Sequence, residues 1–347
     1  MSSKYITTNG EAVASPVPRC QTKKEAYTFD YPEAIAFADA QNSVQWYHHE
    51  IHVEKDIQDI RVNMTPAEAH GVITTLKLFT LYELVAGNEY WGGRFKRMFP
   101  RHDFRQMGNS FSFAEINIHA PFYNKINEAL MLNTDEFYTS YVNDPVLKAR
   151  MEFVESIVND KDDLVSLGAF SMVEGGILYS AFAYLKHFQT LGKNKLLNVV
   201  RGINFSVRDE NLHCEGGAWA FLTLLREKEA LGLMSGNDYN KLVVKLHVCA
   251  RQILEHESYI IDMLFSQGDI ENINAEDLKT FVKSRLNLCL ANLKVPALFE
   301  VGKNPIAEWF YENINGLKFH DFFTGTGSEY HRSWSENDLK WVVETYA

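Results

Sequence analysis

The chain of 347 residues is long enough for one large domain or two ordinary ones, and 46% apolar with 23% charged residues suits a folded chain with a sizeable core. A net charge of -11 argues against a general nucleic-acid binder, because phosphate would be repelled, although a nucleotide could still be the substrate of a partner. The four cysteines, Cys20, Cys214, Cys249 and Cys289, are widely spaced without a CxxC, which fits free thiols in a reducing cytoplasm.

Residues 1–20 are polar and small, lack an apolar core of signal-peptide type, and read as a mobile arm. Pro is scarce, at 9, so long helices are possible. Apolar periodicity predicts helices over 31–53, 65–95, 103–130, 145–160, 163–190, 193–227, 236–266 and 275–294. Thr65-Pro66-Ala67-Glu68 is a capping box with Pro in the first helical position. Ser235 or Asn237 can cap the helix after the Leu231-Gly232 turn, and Asn274 can cap the last of the series. No alternating strand pattern, no Asn-Gly hairpin between apolar strands and no internal repeat stands out. From Val165 to Leu185 only Glu174 is expected to carry charge, so the stretch has the length of a membrane span. A carboxylate and two glycines at its middle favour a helix buried on all sides instead, with no membrane involved. Beyond about residue 296 the pattern weakens, and TGTGSEYHRSWSENDLKWVVETYA runs from flexible residues to an apolar cluster. Long helices with short connections imply an all-α bundle. The expected division is an N-terminal arm at 1–29, a helical domain at 30–298 and a tail at 299–347.

Six ionisable residues interrupt the apolar faces of these helices. They are Glu83 in FTLYELVAG, Glu115 and His119 in SFAEINIHAPFY, Glu174 in SMVEGGILYSAF, and Glu210 with His213 in VRDENLHCEGG. A lone buried Glu is more often an ion-pair partner, and a lone His on an apolar face a satisfied core residue. Four helices bearing such groups change that balance, because burying each carboxylate alone is costly and two shared divalent cations would satisfy all of them. Glu210 and His213 lie three apart, within reach of one metal. Oxygen and imidazole donors suit iron or manganese, and the scarcity of Cys speaks against structural zinc.

These motifs resemble the small, radical-generating subunit of class I ribonucleotide reductase. Arg208-Asp209-Glu210-Asn211-Leu212-His213 matches the family's RDExxH segment. Glu174-Gly175 with Leu178, Tyr179 and Phe182 resembles its third ligand helix; Asn117-Ile118-His119 followed by Tyr123 resembles its second. Glu83 falls where the first helix supplies an acid, and Trp46, followed by Glu50-Ile51, resembles the segment with a radical-transfer tryptophan. The resemblance runs from about residue 30 to 295. One departure stands out: Ile116 occupies the position of the family's Glu, three before the histidine, while Glu115 is four before. Either Glu115 still faces the metals, aided by a π-type widening that Pro121 favours, or the site lacks a carboxylate.

The resemblance implies a ferritin-like bundle with flexible tails and two metal ions per chain. Di-iron is the first expectation, with manganese–iron or di-manganese open. It implies a tyrosyl radical at Tyr123, screened by Leu178 and Phe182, and a relay through His119, Asp209 and Trp46, with Tyr330 ahead of Tyr346 as its tail residue. It further implies a cytoplasmic homodimer that binds no nucleic acid; the apolar Leu339, Trp341, Val342, Val343 and Tyr346, which the tail cannot bury alone, either dock on a large catalytic subunit or pack back on the chain's own bundle. Competing readings are a dimetal oxidase or hydroxylase acting directly on a small substrate, a storage protein, and a metal-free helical scaffold.

Overall fold

The computed structural model describes residues 4–6, 12–14 and 16–312. Its body is all-α. Apart from an isolated antiparallel bridge between Ile270 and Ile273, the exception among the described residues is a hairpin of β1 (Lys4–Ile6) and β2 (Ala12–Ala14), paired antiparallel with Tyr5 opposite Val13. No strand was expected there, although the sequence between the two carries Asn9-Gly10, a pair that favours tight hairpins. The chain then folds back on the body: the Cys20 backbone N–H donates to Glu227 Oε2 at 2.8 Å, and Tyr31 donates to the same carboxylate.

The first helix, α1 (Pro32–Ser43), is shorter than the expected 31–53; short 3-10 turns at His48–Glu50 and Val53–Asp56 follow. Trp46 lies in the irregular stretch between. Helix α2 (Pro66–Leu84) starts at the expected capping box, with Glu68 N–H donating to Thr65 Oγ1 at 3.2 Å and Thr65 N–H to Glu68 Oε2 at 2.9 Å. It runs on as a π-helix over Val85–Phe95. Helix α3 (His102–Ala114) is continued by a π segment, Glu115–His119, and by α4 (Ala120–Leu130).

A short helix that the periodicity missed, α5 (Asp135–Asn143), is capped by the Thr134 side chain, which accepts from Phe137 N–H. It precedes α6 (Pro145–Val158). The expected 163–190 helix is broken in two, α7 (Asp163–Gly176) and α8 (Tyr179–Lys186). Ile177 and Leu178 between them take φ/ψ of -68°/145° and 72°/-15°. Those are the central angles of a type II turn, with Leu178 in the place that favours glycine. The Asp163–Gln189 stretch is long and apolar enough to cross a membrane, and its most apolar 18-residue window is 100% buried inside the bundle.

Helix α9 (Leu197–Ala230) packs along α7 and carries the RDENLH segment at its middle. Helices α10 (Gly236–Leu264), capped by Ser235, and α11 (Ala275–Asn292), capped by Asn274, close the other side of α7. A last helix, α12 (Pro305–Glu312), buries Ile306 and Phe310 against the body, where the sequence pattern had already weakened. Residues beyond it, including Tyr330 and the apolar cluster from Leu339 to Tyr346, lie outside the described part.

One close approach sets the site's geometry. A Cβ on Gly87 would fall 2.6 Å from Ile116 Cγ1 and 2.9 Å from Glu115 Cβ. Only a residue without a side chain lets the two π segments meet there, with Ile116 packed toward Gly87. Gly87→Val therefore lowers stability by about 1–3 kcal/mol, the usual cost of overpacking. Urea unfolding of wild type and variant checks this; an unchanged midpoint would contradict the packing described.

Candidate metal centre

Each of the six acids and imidazoles singled out in the sequence comes from a helix interior. Glu83 lies at the end of α2, Glu115 and His119 bound the π segment after α3, Glu174 lies on α7, and Glu210 and His213 on α9. All six are at most 2% exposed. The structure brings them together into two adjoining groups: Glu83, Glu115, His119 and Glu210 in one, and Glu115, Glu174, Glu210 and His213 in the other. Within each group one donor atom per residue lies within 4.8 Å of the rest.

Glu115 and Glu210 belong to both groups, and their oxygens are divided between the histidines. Glu115 Oε2 is 3.0 Å from His119 Nδ1 and Oε1 is 2.6 Å from His213 Nδ1. Glu210 Oε1 is 3.2 Å from His119 Nδ1 and Oε2 is 3.5 Å from His213 Nδ1. Glu83 stands at the His119 end, at 3.9 Å, and Glu174 at the His213 end, at 3.6 Å. The departure at Ile116 is resolved by the backbone. Ala120 N–H donates to Glu115 O, five residues back, so the helix is widened by one residue between Glu115 and His119. That widening turns Glu115 into the site.

The histidines are oriented from behind. A carboxylate only accepts, so His119 carries its proton on Nε2 and donates to Asp209 Oδ2 at 3.1 Å, leaving Nδ1 turned inward. His213 Nε2 likewise donates to Gln41 Oε1 of α1 at 3.1 Å. Trp91 Nε1–H donates to Glu174 Oε1 at 3.0 Å, which leaves Oε2 for the interior. Gln41 and Trp91 were missed in the sequence: one is a polar residue on a buried helix face, the other an aromatic that reads as core, and neither carries a motif.

Inside the centre one pair, His119 Nδ1 and Glu115 Oε2 at 3.0 Å, is hydrogen-bonded, and most other polar atoms are not. Both oxygens of Glu83 and of Glu210, Glu115 Oε1, Glu174 Oε2 and His213 Nδ1 are buried without a hydrogen-bond partner. Four carboxylates against two neutral imidazoles leave four negative charges, which two divalent cations would neutralise while supplying those atoms with partners. The all-oxygen and imidazole donor set fits iron or manganese.

Without cations the charges compensate by proton uptake. Burial, then the neighbouring Glu115 charge, pushes the Glu83 carboxyl well above the usual range; burial and Glu210 do the same to Glu174. Burial works against the charged form of His119 and His213, but the Glu115 charge and bonds to other carboxylates prevail and raise both well above the ordinary value. Asp209 is also opposed by burial, yet the Arg208 charge and the bonds from His119 and Trp46 hold it low.

From the His119 end a hydrogen-bonded line leads outward. Asp209 Oδ2 accepts from His119 and also from Trp46 Nε1–H, at 2.8 Å. Arg208 holds the other Asp209 oxygen at 3.1 Å and donates to the Val44 carbonyl at 2.6 Å, pinning the segment that carries Trp46. Tyr123, one turn past His119, is fully buried and donates to Ser206 Oγ at 3.2 Å. Its ring stacks on Phe79 at 4.3 Å, and Phe79 stacks on Phe182 at 5.5 Å. Phe79 and Ser206 were not anticipated; the first reads as plain core and the second as a neutral polar residue on α9. Tyr330 is outside the described residues.

The raised His119, His213, Glu83 and Glu174 values set a pH dependence. A group with a raised folded-state value stabilises fully below its unfolded value, and that contribution is lost as pH rises through the folded one. The metal-free chain therefore loses stability as pH rises above the ordinary histidine value of 6.5 toward the raised values. Metal-loaded chain, with Nδ1 engaged, lacks this decline. Thermal melts of chelated and reconstituted protein from about pH 6 to 9 check the sign; a metal-free chain that grows more stable over that range contradicts it.

Comparison with known proteins agrees with this geometry. The family described as "Ribonucleotide reductase, small chain" matches residues 23–305. A probable ribonucleoside-diphosphate reductase small subunit of Invertebrate iridescent virus 3 is 23% identical over 97% of this chain and 92% of its own. Ribonucleoside-diphosphate reductase 2 subunit beta of Escherichia coli is 26% identical over 64% of this chain and 67% of its own. Among solved structures, the dimanganese(II)-NrdF of Streptococcus sanguinis superposes with a TM-score of 0.70 at 21% identity, covering 83% of this chain and 98% of that one. A putative class I ribonucleotide reductase from Bacillus halodurans gives 0.72 at 20% identity, over 81% and 99%. With its carboxylate and histidine clusters set in a ferritin-like bundle, the chain belongs to the ribonucleotide reductase small-chain family.

Proposed function

We propose that this chain is the radical-generating subunit of a class I ribonucleoside-diphosphate reductase, holding two metal ions on Glu83, Glu115, His119, Glu174, Glu210 and His213. The observation that carries the reading is the line His119–Asp209–Trp46, which joins the candidate centre to an indole by two hydrogen bonds through one carboxylate oxygen. A site acting directly on a small substrate has no use for it. When bound, a redox-active metal pair, iron or manganese, supplies an oxidising potential that side chains lack.

Tyr123 is the residue placed to be oxidised and to store the radical. Burial, with the Glu83 charge next, pushes its phenol well above the ordinary value, so the phenolate is disfavoured and the electron must leave together with the hydroxyl proton. Ser206 Oγ accepts that hydroxyl and fixes its direction. Phe122 and Phe79, the latter backed by Phe182, wall the ring from water, which slows quenching of a neutral radical. Asp209, held ionised, keeps His119 and Trp46 in register for transfer toward a partner. Residues 30–298 form the radical-generating unit. The tail beyond α12, with Tyr330 as relay and Trp341 as anchor, engages the large subunit, and the chain acts as a cytoplasmic homodimer.

Electron paramagnetic resonance on freshly activated protein tests this. Wild type gives a tyrosyl signal; Tyr123→Phe loses it while keeping its metals, with stability lowered by only about 1 kcal/mol for the lost hydroxyl bond. Wild type makes deoxynucleotides only when mixed with its large subunit. A tyrosyl signal that survives in Tyr123→Phe moves the radical elsewhere, and turnover by the isolated chain on a small substrate favours a direct oxidase.

A further inference from the structure

Directly behind the metal centre lies a pair of nucleophiles that the radical reading does not use. Cys214 follows His213 on α9 and Cys289 lies on α11; both are buried, and their sulfurs are 3.8 Å apart. The space for them is made by Gly175, the residue after Glu174. A Cβ there would sit 2.4 Å from Cys289 Sγ and 2.6 Å from Cys214 Sγ. The pair is also set among polar groups. Ser171 Oγ is 3.7 Å and Asn292 Nδ2 3.9 Å from Cys214 Sγ, and Arg285 Nε–H donates to the Gly175 carbonyl at 3.1 Å. Two buried thiols packed only for volume need neither polar neighbours nor a glycine beneath both sulfurs.

We propose that Cys214 and Cys289 are a redox-active dithiol that closes to a disulfide with hydrogen peroxide as the two-electron oxidant. A bonded pair requires about 2.05 Å between sulfurs, so the two approach by less than about 2 Å in total. One thiolate attacks a peroxide oxygen, the O–O bond breaks, and the leaving oxygen takes protons as water, giving a sulfenic acid. The second thiol then attacks that sulfur, the S–O bond breaks, a second water leaves, and the S–S bond forms. In sum, two thiols and one hydrogen peroxide give one disulfide and two waters. The product ties α9 to α11 one residue from His213. The pairing depends on the thiols alone and stands or falls separately from the radical reading.

The test treats the full chain, as purified, with a small excess of hydrogen peroxide, quenches in acid, alkylates under denaturing conditions and counts thiols by mass. Two of the four cysteines remain alkylatable, and digestion yields one peptide pair joined through Cys214 and Cys289. In Cys289→Ser the link is gone; Cys249→Ser leaves the link unchanged. All four thiols remaining free in wild type, or a link that uses Cys20 or Cys249 instead, overturns the proposal. Because the wild-type count needs no variant, poor folding of a substituted chain does not shield it.

Discussion

Four carboxylates gathered in one buried volume lose most of their hydration and repel one another, and no packing of apolar side chains compensates for that. Everything around Glu83, Glu115, Glu174 and Glu210 is arranged with respect to this constraint. Hydrogen-bond donors approach only from outside: Trp91 on Glu174, and the imidazoles backed by Asp209 and Gln41. The inner oxygens are left bare, the pattern expected of a cage whose missing partners are cations rather than protein groups. In their absence protons take over the neutralisation, which is why the acids at the two ends and both histidines are pushed up while Glu115, between the two imidazoles, is held low.

Backbone irregularity is the means by which a helical bundle meets the constraint. In a regular α3–α4 helix Ile116, three before His119, would take the place that Glu210 takes before His213 on α9. The extra residue in the Glu115–His119 turn turns Glu115 inward and Ile116 toward Gly87, on a neighbouring helix that is itself π-widened. The break at Ile177–Leu178 acts similarly on α7, ending the helix two residues after Glu174. Irregular turns in a helix interior cost stability, and here they cluster around the buried charge.

Much of this was legible in the sequence because charge inside an apolar pattern is conspicuous. All six cluster residues, Tyr123, Asp209 and Trp46 stand out as polar or motif-bearing positions, and the structure places the six within two adjoining groups. The widening at Glu115 was readable from Pro121, whose missing N–H weakens the turn. What stayed hidden is chemically neutral: Gln41, Ser206 and Phe79 carry no charge and follow no spacing rule. The 44–53 stretch read as helix although it is mostly irregular, since aromatic and aliphatic residues there mimic the helical period while packing around Trp46 dictates otherwise. The α7–α8 break escaped notice because Leu178 gives no turn signal; only the preceding Gly175-Gly176 hints at it.

The central claim is that two cations share Glu115 and Glu210. Anomalous X-ray diffraction from crystals reconstituted with iron or manganese addresses it most directly. The account predicts two peaks per chain, about 3.5–4 Å apart as in other paired metal sites, one beside Glu83 and His119 and the other beside Glu174 and His213, with Glu115 and Glu210 touching both. A single peak, or two peaks with Glu115 turned away, would contradict it.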